Sequence, residues 1–326
     1  MSDEEEARPV VQSGICKPGH VSGHFASPLR YPGGKGRLGP WLSSVIEYND
    51  LKGGWYVEPY AGGAGAALYL LLQGHVEHIV INDADPLIHA FWQSVVHESA
   101  AFAEMILETP VTMESRARFQ SMMTNVEDHS MLELGFATFF LNRTSRSGIL
   151  TGGVIGGKTQ AGTYKLDARY KANDLVARVQ AIGAMRERIT VLGMDALDLL
   201  IDCSPGFPAK TLIYLDPPYY VKGSQLYRNH YQRADHEAIA HCAQLAVHPL
   251  LITYDNAPEI REMYSGMTSS NFSLQYSTHL ARPLASEVLF YANLRLPAPP
   301  KLTRGARLSG HHIAAPTLLS GATALA

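Results

Sequence analysis

Asp216-Pro217-Pro218-Tyr219 is the stretch of this 326-residue chain whose residue types speak most directly of chemistry. It follows an apolar run at residues 211–215, and its two prolines stiffen the backbone while removing two N–H donors. What remains at that edge accepts hydrogen bonds: the Asp216 carboxylate and the Pro217 carbonyl. A planar exocyclic NH₂ donates two hydrogens, so two acceptors can hold it while its lone pair turns towards an electrophile. Tyr219 adds an aromatic face on which a base can stack.

A second group of residues could hold a cofactor. Glu58-Pro59-Tyr60-Ala61-Gly62-Gly63-Ala64-Gly65 lies between a predicted strand at 55–57 and a helical run at 66–72. Glycines at 62, 63 and 65 let backbone approach a ligand closely, and the helix start offers unpaired N–H groups. The spacing is not the dinucleotide fingerprint, because Leu68 stands where a third glycine or alanine belongs. Taken alone, the same residues would also make an ordinary tight turn. Asp83 closes a second predicted strand, where an acid accepts hydrogen bonds from ribose hydroxyls or caps the following helix. In Tyr31-Pro32-Gly33-Gly34-Lys35 a lysine follows a glycine pair without Walker spacing. Lys35 reads as a cation reaching into a site, or as an exposed lysine in a turn.

The elements that must position these groups alternate in the manner of an α/β sheet. Apolar strands are predicted at 55–57, 78–81, 189–192, 211–215 and 249–254, each ending at or near a polar residue and followed by a helix-compatible stretch. Segments 272–278 and 287–292 have strand composition with no helix between them, which suits a closing antiparallel hairpin. Between the second and third strands lie roughly 105 residues, far more than one crossover helix needs. This block begins and ends helical, with a glycine-rich loop or hairpin at 147–165. An insertion at the carboxyl ends of parallel strands sits where open α/β sheets bind ligands. The expected division is a disordered tail at 1–25, a catalytic domain at 26–90 and 189–296, an inserted domain at 91–188 and a disordered tail at 297–326.

Composition bounds the class. Hydrophobic residues make up 46 % of the chain, enough for a sizeable core. No run of 18 apolar residues suggests a membrane span, and the acidic start is unlike a secretory leader. Cys16, Cys203 and Cys242 are too scattered for a disulfide framework or a metal site, so a reducing cytoplasmic setting and no metal are expected. The net charge is −3, but between Arg143 and Arg178 seven basic residues face two acids. A local patch of this kind can steer a polyanion, or it can be a solvated face.

Taken together, PGGK at 32–35, EPYAGGAG at 58–65, INDAD at 81–85 and LDPPYY at 215–220 resemble the DNA adenine methylase family. So does FFLNRTSRSG at 139–148, which is similar to that family's entry into its target-recognition hairpin. The resemblance covers roughly residues 27–295 and implies a Rossmann-like sheet with an inserted recognition domain. It implies methyl transfer from S-adenosylmethionine to the exocyclic amine of adenine in double-stranded DNA, after the base leaves the duplex. By the same resemblance the catalytic groups are Asp216, Pro217 and Tyr219. Cofactor contacts fall on Tyr31, Lys35, Glu58, Gly62, Gly63, Gly65, Asp83 and Asp216, with Asp195 near the cofactor adenine. Asp85 is the alternative to Asp83.

DNA contacts are expected from Arg143, Arg146, Lys158 and Lys165. A restriction endonuclease is a partner such enzymes can have, and no obligate protein partner is evident. Rival readings are methylation of RNA or of a protein amide, whose motif begins with Asn in place of Asp216, and a DNA-binding homologue without catalysis.

Overall fold

The computed structural model describes residues 26–31, 35–220, 231–275, 284–297 and 300. The expected tail at 1–25, nearly all of that at 297–326, and Pro32, Gly33 and Gly34 lie outside the described residues.

Seven strands form one sheet: β1 (Trp55–Glu58), β2 (His78–Asn82), β3 (Ile189–Leu192), β4 (Thr211–Leu215), β5 (Leu250–Asp255), β6 (Thr268–Gln275) and β7 (Leu284–Ala292). Their order is β3-β2-β1-β4-β5-β7-β6. The first five run parallel, and β7 pairs antiparallel with both β5 and β6. The predicted hairpin is therefore present, with β7 inserted between β5 and β6. From β1 the chain moves outward through β2 and β3, then returns to place β4 on the other side of β1. That reversal puts the switch point of the sheet between the carboxyl ends of β1 and β4, where open sheets of this kind form a crevice and usually bind ligands.

Alternation along the strands divides the core between two faces. Tyr56, Ile79, Ile81, Leu212, Tyr214 and Leu251 enter one buried cluster. Val57, Val80, Ile213, Leu215, Leu250 and Ile252 enter the other. The first face is covered by α1 (Gly39–Tyr48), α2 (Gly65–Leu72) and the helices between β2 and β3: α3 (Pro86–His97), α4 (Ser99–Glu108), α5 (Met113–Met122), α6 (Met131–Thr144) and α7 (Ala172–Gly183). The second is covered by a short helical run after Asp195, by α8 (Arg233–Gln244) and by α9 (Pro258–Met263).

The block between β2 and β3 is helical at both ends, as predicted, and its glycine-rich middle is a loop pinned by one antiparallel bridge, Ser145 to Val154. It does not stand apart from the sheet. Phe91, Phe102, Phe136 and Phe139 pack ring on ring and belong to the same cluster as Tyr56 and Tyr214. The boundary expected at 90/91 falls inside α3. A helix that shares its apolar face with the sheet cannot be divided there without exposing both.

Candidate active site

The carboxyl ends of β3, β2, β1 and β4 lie side by side. They carry Asp195, Asp83, the 58–65 loop and Asp216 in that spatial order. Parallel strands aim these chain ends at the same edge, so residues far apart in sequence meet there.

The glycine loop is shaped by close packing. Gly62 has φ +46°, and a Cβ there would meet the Tyr31 ring at 2.7 Å. A Cβ on Gly63 would come within 2.9 Å of the Tyr31 side chain, and one on Gly65 within 3.0 Å of the Gly36 backbone. The loop is fixed from two sides: the Gly62 N–H donates to Asp83 Oδ2 at 2.8 Å, and the Trp92 indole donates to the Gly62 carbonyl at 2.8 Å. Asp83 thus holds the loop while remaining partly open to solvent. Burial raises its pKa to about 6, against the opposing N–H groups of Asp85 and Gly62. Asp85, not Asp83, caps α3, accepting from the Leu87 N–H. Asp195 likewise caps the helical run that follows it, and is exposed.

Lys35 and Asp216 meet directly. Lys35 is 8 % exposed, and its ammonium lies 2.8 Å from Asp216 Oδ1. It also donates to the Tyr219 hydroxyl at 3.3 Å, and that hydroxyl donates to Glu287 Oε1 at 3.3 Å. Thr253 donates to Asp216 Oδ1 at 2.9 Å and accepts from Tyr214 at 2.8 Å. Two donors therefore occupy one Asp216 oxygen, and the other has no protein donor among the described residues. Burial by itself would depress the Lys35 ammonium. Asp216, Tyr219, Glu287 and Tyr214 outweigh it and hold its pKa well above the ordinary lysine value. Glu287, 1 % exposed, is raised to about 7 by burial, with Lys35 opposing and Asp216 reinforcing. Glu58 is raised to about 8 by burial; the Tyr56 hydroxyl on its Oε1 works against that, and Asp216 adds to it.

Three residues that hold the site were not singled out in the sequence. Thr253 lies inside the fifth strand. Glu287 is a lone acid in the otherwise uncharged strand LASEVLFYA, an irregularity that could have marked it. Asn82 donates to the Pro59 and Met194 carbonyls and accepts from the Met194 N–H, tying the ends of β1, β2 and β3 together. A strand-terminal Asn gives no sequence sign of which backbones it will reach.

The expected DNA-contact residues divide. Arg146, Lys158 and Lys165 are exposed on the loop after α6. Arg143 is not on the open surface: it is 8 % exposed, with Nε donating to the Pro28 carbonyl at 2.6 Å. It projects from the last turn of α6, the side that packs against residues 27–30.

The curated proteins contain no match to the chain. Among solved structures, the rRNA methyltransferase aviRa from Streptomyces viridochromogenes is similar at TM-score 0.37 and 12 % identity, covering 80 % of this chain and 86 % of that one. PH1948 from Pyrococcus horikoshii is similar at TM-score 0.36 and 11 % identity, covering 86 % and 92 %. Residues 31–279, well over half of the 326, match the family described as D12 class N6 adenine-specific DNA methyltransferase. That span runs from Tyr31 through the glycine loop, the inserted helices and Asp216 to the closing hairpin, and the chain belongs to this family of adenine-specific DNA methyltransferases.

Proposed function

We propose that the crevice between β1 and β4 is where methyl transfer to adenine takes place, with Asp216 and the Pro217 carbonyl holding the amine and Tyr219 stacking the base. The observation that carries this is the division of labour on Asp216. Lys35 and Thr253 fix Oδ1, which leaves Oδ2 as an acceptor of set orientation. Two acceptors on the amine favour its rehybridisation and stabilise the positive charge that develops on nitrogen. As the nitrogen–methyl bond forms and the methyl–sulfur bond breaks, the positive charge moves to the nitrogen, whose proton would then pass to Asp216 or on to water; no covalent bond to the protein is needed.

S-adenosylmethionine supplies an electrophilic methyl carried on a positively charged sulfur. The residues present suit such a molecule. Gly62, Gly63 and Gly65 let the loop pack closely on Tyr31 and on the Gly36 backbone, and Asp83, Asp195 and Asp216 line the edge with acceptors for a cation rich in hydroxyl and amine donors. Asp83 would take the ribose and Asp195 the adenine side, with Tyr31 and Glu58 supporting the loop from beneath. Lys35 acts through Asp216 and Tyr219 rather than as a free cation.

The test is transfer of labelled methyl to a duplex containing adenine. Wild type should label the exocyclic amine. Asp216→Ala should lose about 100-fold or more in turnover, the scale of removing a preorganised electrostatic contact, while still binding duplex. Near wild-type labelling by Asp216→Ala would move the chemistry elsewhere.

A further inference from the structure

Four arginines converge beside the crevice with almost no acid among them. Arg143 projects from α6, Arg30 from the segment before the Lys35 loop, Arg169 from the turn before α7 and Arg178 from α7 itself. Each backbone or side-chain anchor is a carbonyl. Arg143 Nε donates to Pro28 at 2.6 Å and its Nη1 reaches the Arg169 carbonyl at 3.5 Å. Arg30 Nη1 donates to the Ser145 carbonyl at 3.1 Å, and Arg178 Nη1 donates to the Ser27 carbonyl at 3.0 Å. Arg169 makes no side-chain hydrogen bond or ion pair among the described residues. Asp174 acts on Arg178, and Asp167 stands in the same helical turn as Arg169; no ion pair joins an acid to any of the four arginines among the described residues.

A cluster of like charges held this way is electrostatically costly. Burial, then Arg178, Arg30 and Arg169, push the Arg143 guanidinium down to about 9, and burial and Arg169 lower Arg30 as well. Carbonyl oxygens solvate a guanidinium but do not neutralise it. The repulsion is relieved when an anion enters, and guanidinium forks match the geometry of phosphate oxygens.

We propose that Arg30, Arg143, Arg169 and Arg178 form one site for a backbone phosphodiester of duplex DNA. Its position favours a polyanion over a small free ion. Asn142 grips the Arg30 backbone through both its N–H and its carbonyl, at 2.8 and 2.9 Å, and also donates to the Gly148 carbonyl at 2.7 Å. This locks Arg30 to the start of the loop bearing exposed Arg146, Lys158 and Lys165. On its other side Arg30 adjoins Tyr31, which packs on Gly62 and Gly63 at the crevice. The cluster therefore lies between the exposed basic loop and the reaction crevice, along a path that a continuous strand can follow. A phosphate fixed here would set the strand's register relative to Asp216 without reading its sequence. This inference rests on DNA being the substrate.

The variant that tests it is Arg30→Gln/Arg169→Gln, with Arg169→Gln alone as the version that removes no hydrogen bond, and Arg186→Gln in an exposed ion pair with Glu187 as the control. Duplex affinity is measured over a salt series, alongside the melting midpoint with and without inorganic phosphate. Log K against log salt should flatten by about 0.9 for the lost phosphate contact in the double variant, in the same direction for Arg169→Gln, and not for the control. Arg169→Lys should recover part of the slope. Wild-type slopes in folded Arg169→Gln and the double variant would overturn the site. Stabilisation by inorganic phosphate that depends on Arg169, with an unchanged duplex slope, would replace DNA by a free phosphate. A wild-type protein that binds no duplex would overturn the substrate reading as well, which separates the two failures.

Discussion

The Tyr219 hydroxyl has partners of its own beyond the stacking proposed for the ring. If only its ring mattered, Tyr219→Phe would be mild. Its hydroxyl, however, takes a hydrogen bond from Lys35 and gives one to Glu287, fixing ring and ammonium together. Tyr219→Phe and Glu287→Gln should each lower kcat by roughly 10- to 100-fold, the range of one charge-assisted hydrogen bond at ~1.5–3 kcal/mol. Both should leave KM for duplex nearly unchanged; a loss confined to KM would return Tyr219 to stacking alone. Glu58 offers a separate test through pH. Its folded pKa of about 8 lies above the ordinary 4.5, so the folded chain keeps a proton that the unfolded chain releases. Its contribution to stability is complete below about pH 4.5 and is lost as pH rises towards about 8. Thermal melts should show the midpoint falling across that window in wild type and falling less in Glu58→Gln. Equal slopes would mean that Glu58 is not the proton holder.

At the scale of elements, the site depends on three strand ends staying in register, and Asn82 is the tie between them. It satisfies two carbonyls and one N–H that belong to different chain segments. Asn82→Leu keeps the approximate volume and removes all three bonds, leaving buried backbone groups without partners. A loss of at least ~2 kcal/mol is expected by denaturant unfolding, given ~1–3 kcal/mol for each such group. Cofactor affinity should weaken as well, because Pro59 and Met194 lead into the glycine loop and Asp195. A wild-type unfolding midpoint would show that the strands hold their register without it.

At the scale of the molecule, the inserted helices and the sheet share one buried cluster and are expected to unfold together. Phe136 is fully buried among Phe102, Phe119, Phe139 and Phe140, in the cluster that also contains Tyr56 and Leu212 of the sheet. Phe136→Ala should cost ~3–5 kcal/mol and shift a single unfolding transition, with fluorescence and circular dichroism moving in step. Two separated transitions would mean that the insertion unfolds independently of the sheet.

Much of this was legible in the residues because the signals are local. Strand runs, the glycine loop, the Asp216-Pro217-Pro218-Tyr219 turn and the length of the insertion follow from hydrophobic period, proline and glycine, which act over a few residues. The predicted strands at 189–192 and 211–215 coincide with β3 and β4. Which partners the chemical groups acquire was not legible, since it depends on contacts between segments a hundred or more residues apart. Lys35 could have been an exposed lysine in a turn, until the return of β4 beside β1 set Asp216 against it. Arg143 counted as one more charge of a basic run, until the last turn of α6 packed on residues 27–30 and surrounded it with carbonyls. Sequence determined which groups the chain brings and which local shapes it takes. Tertiary structure decided which charges are neutralised, because burial and proximity across the fold set both the desolvation of a charge and the partner that answers it.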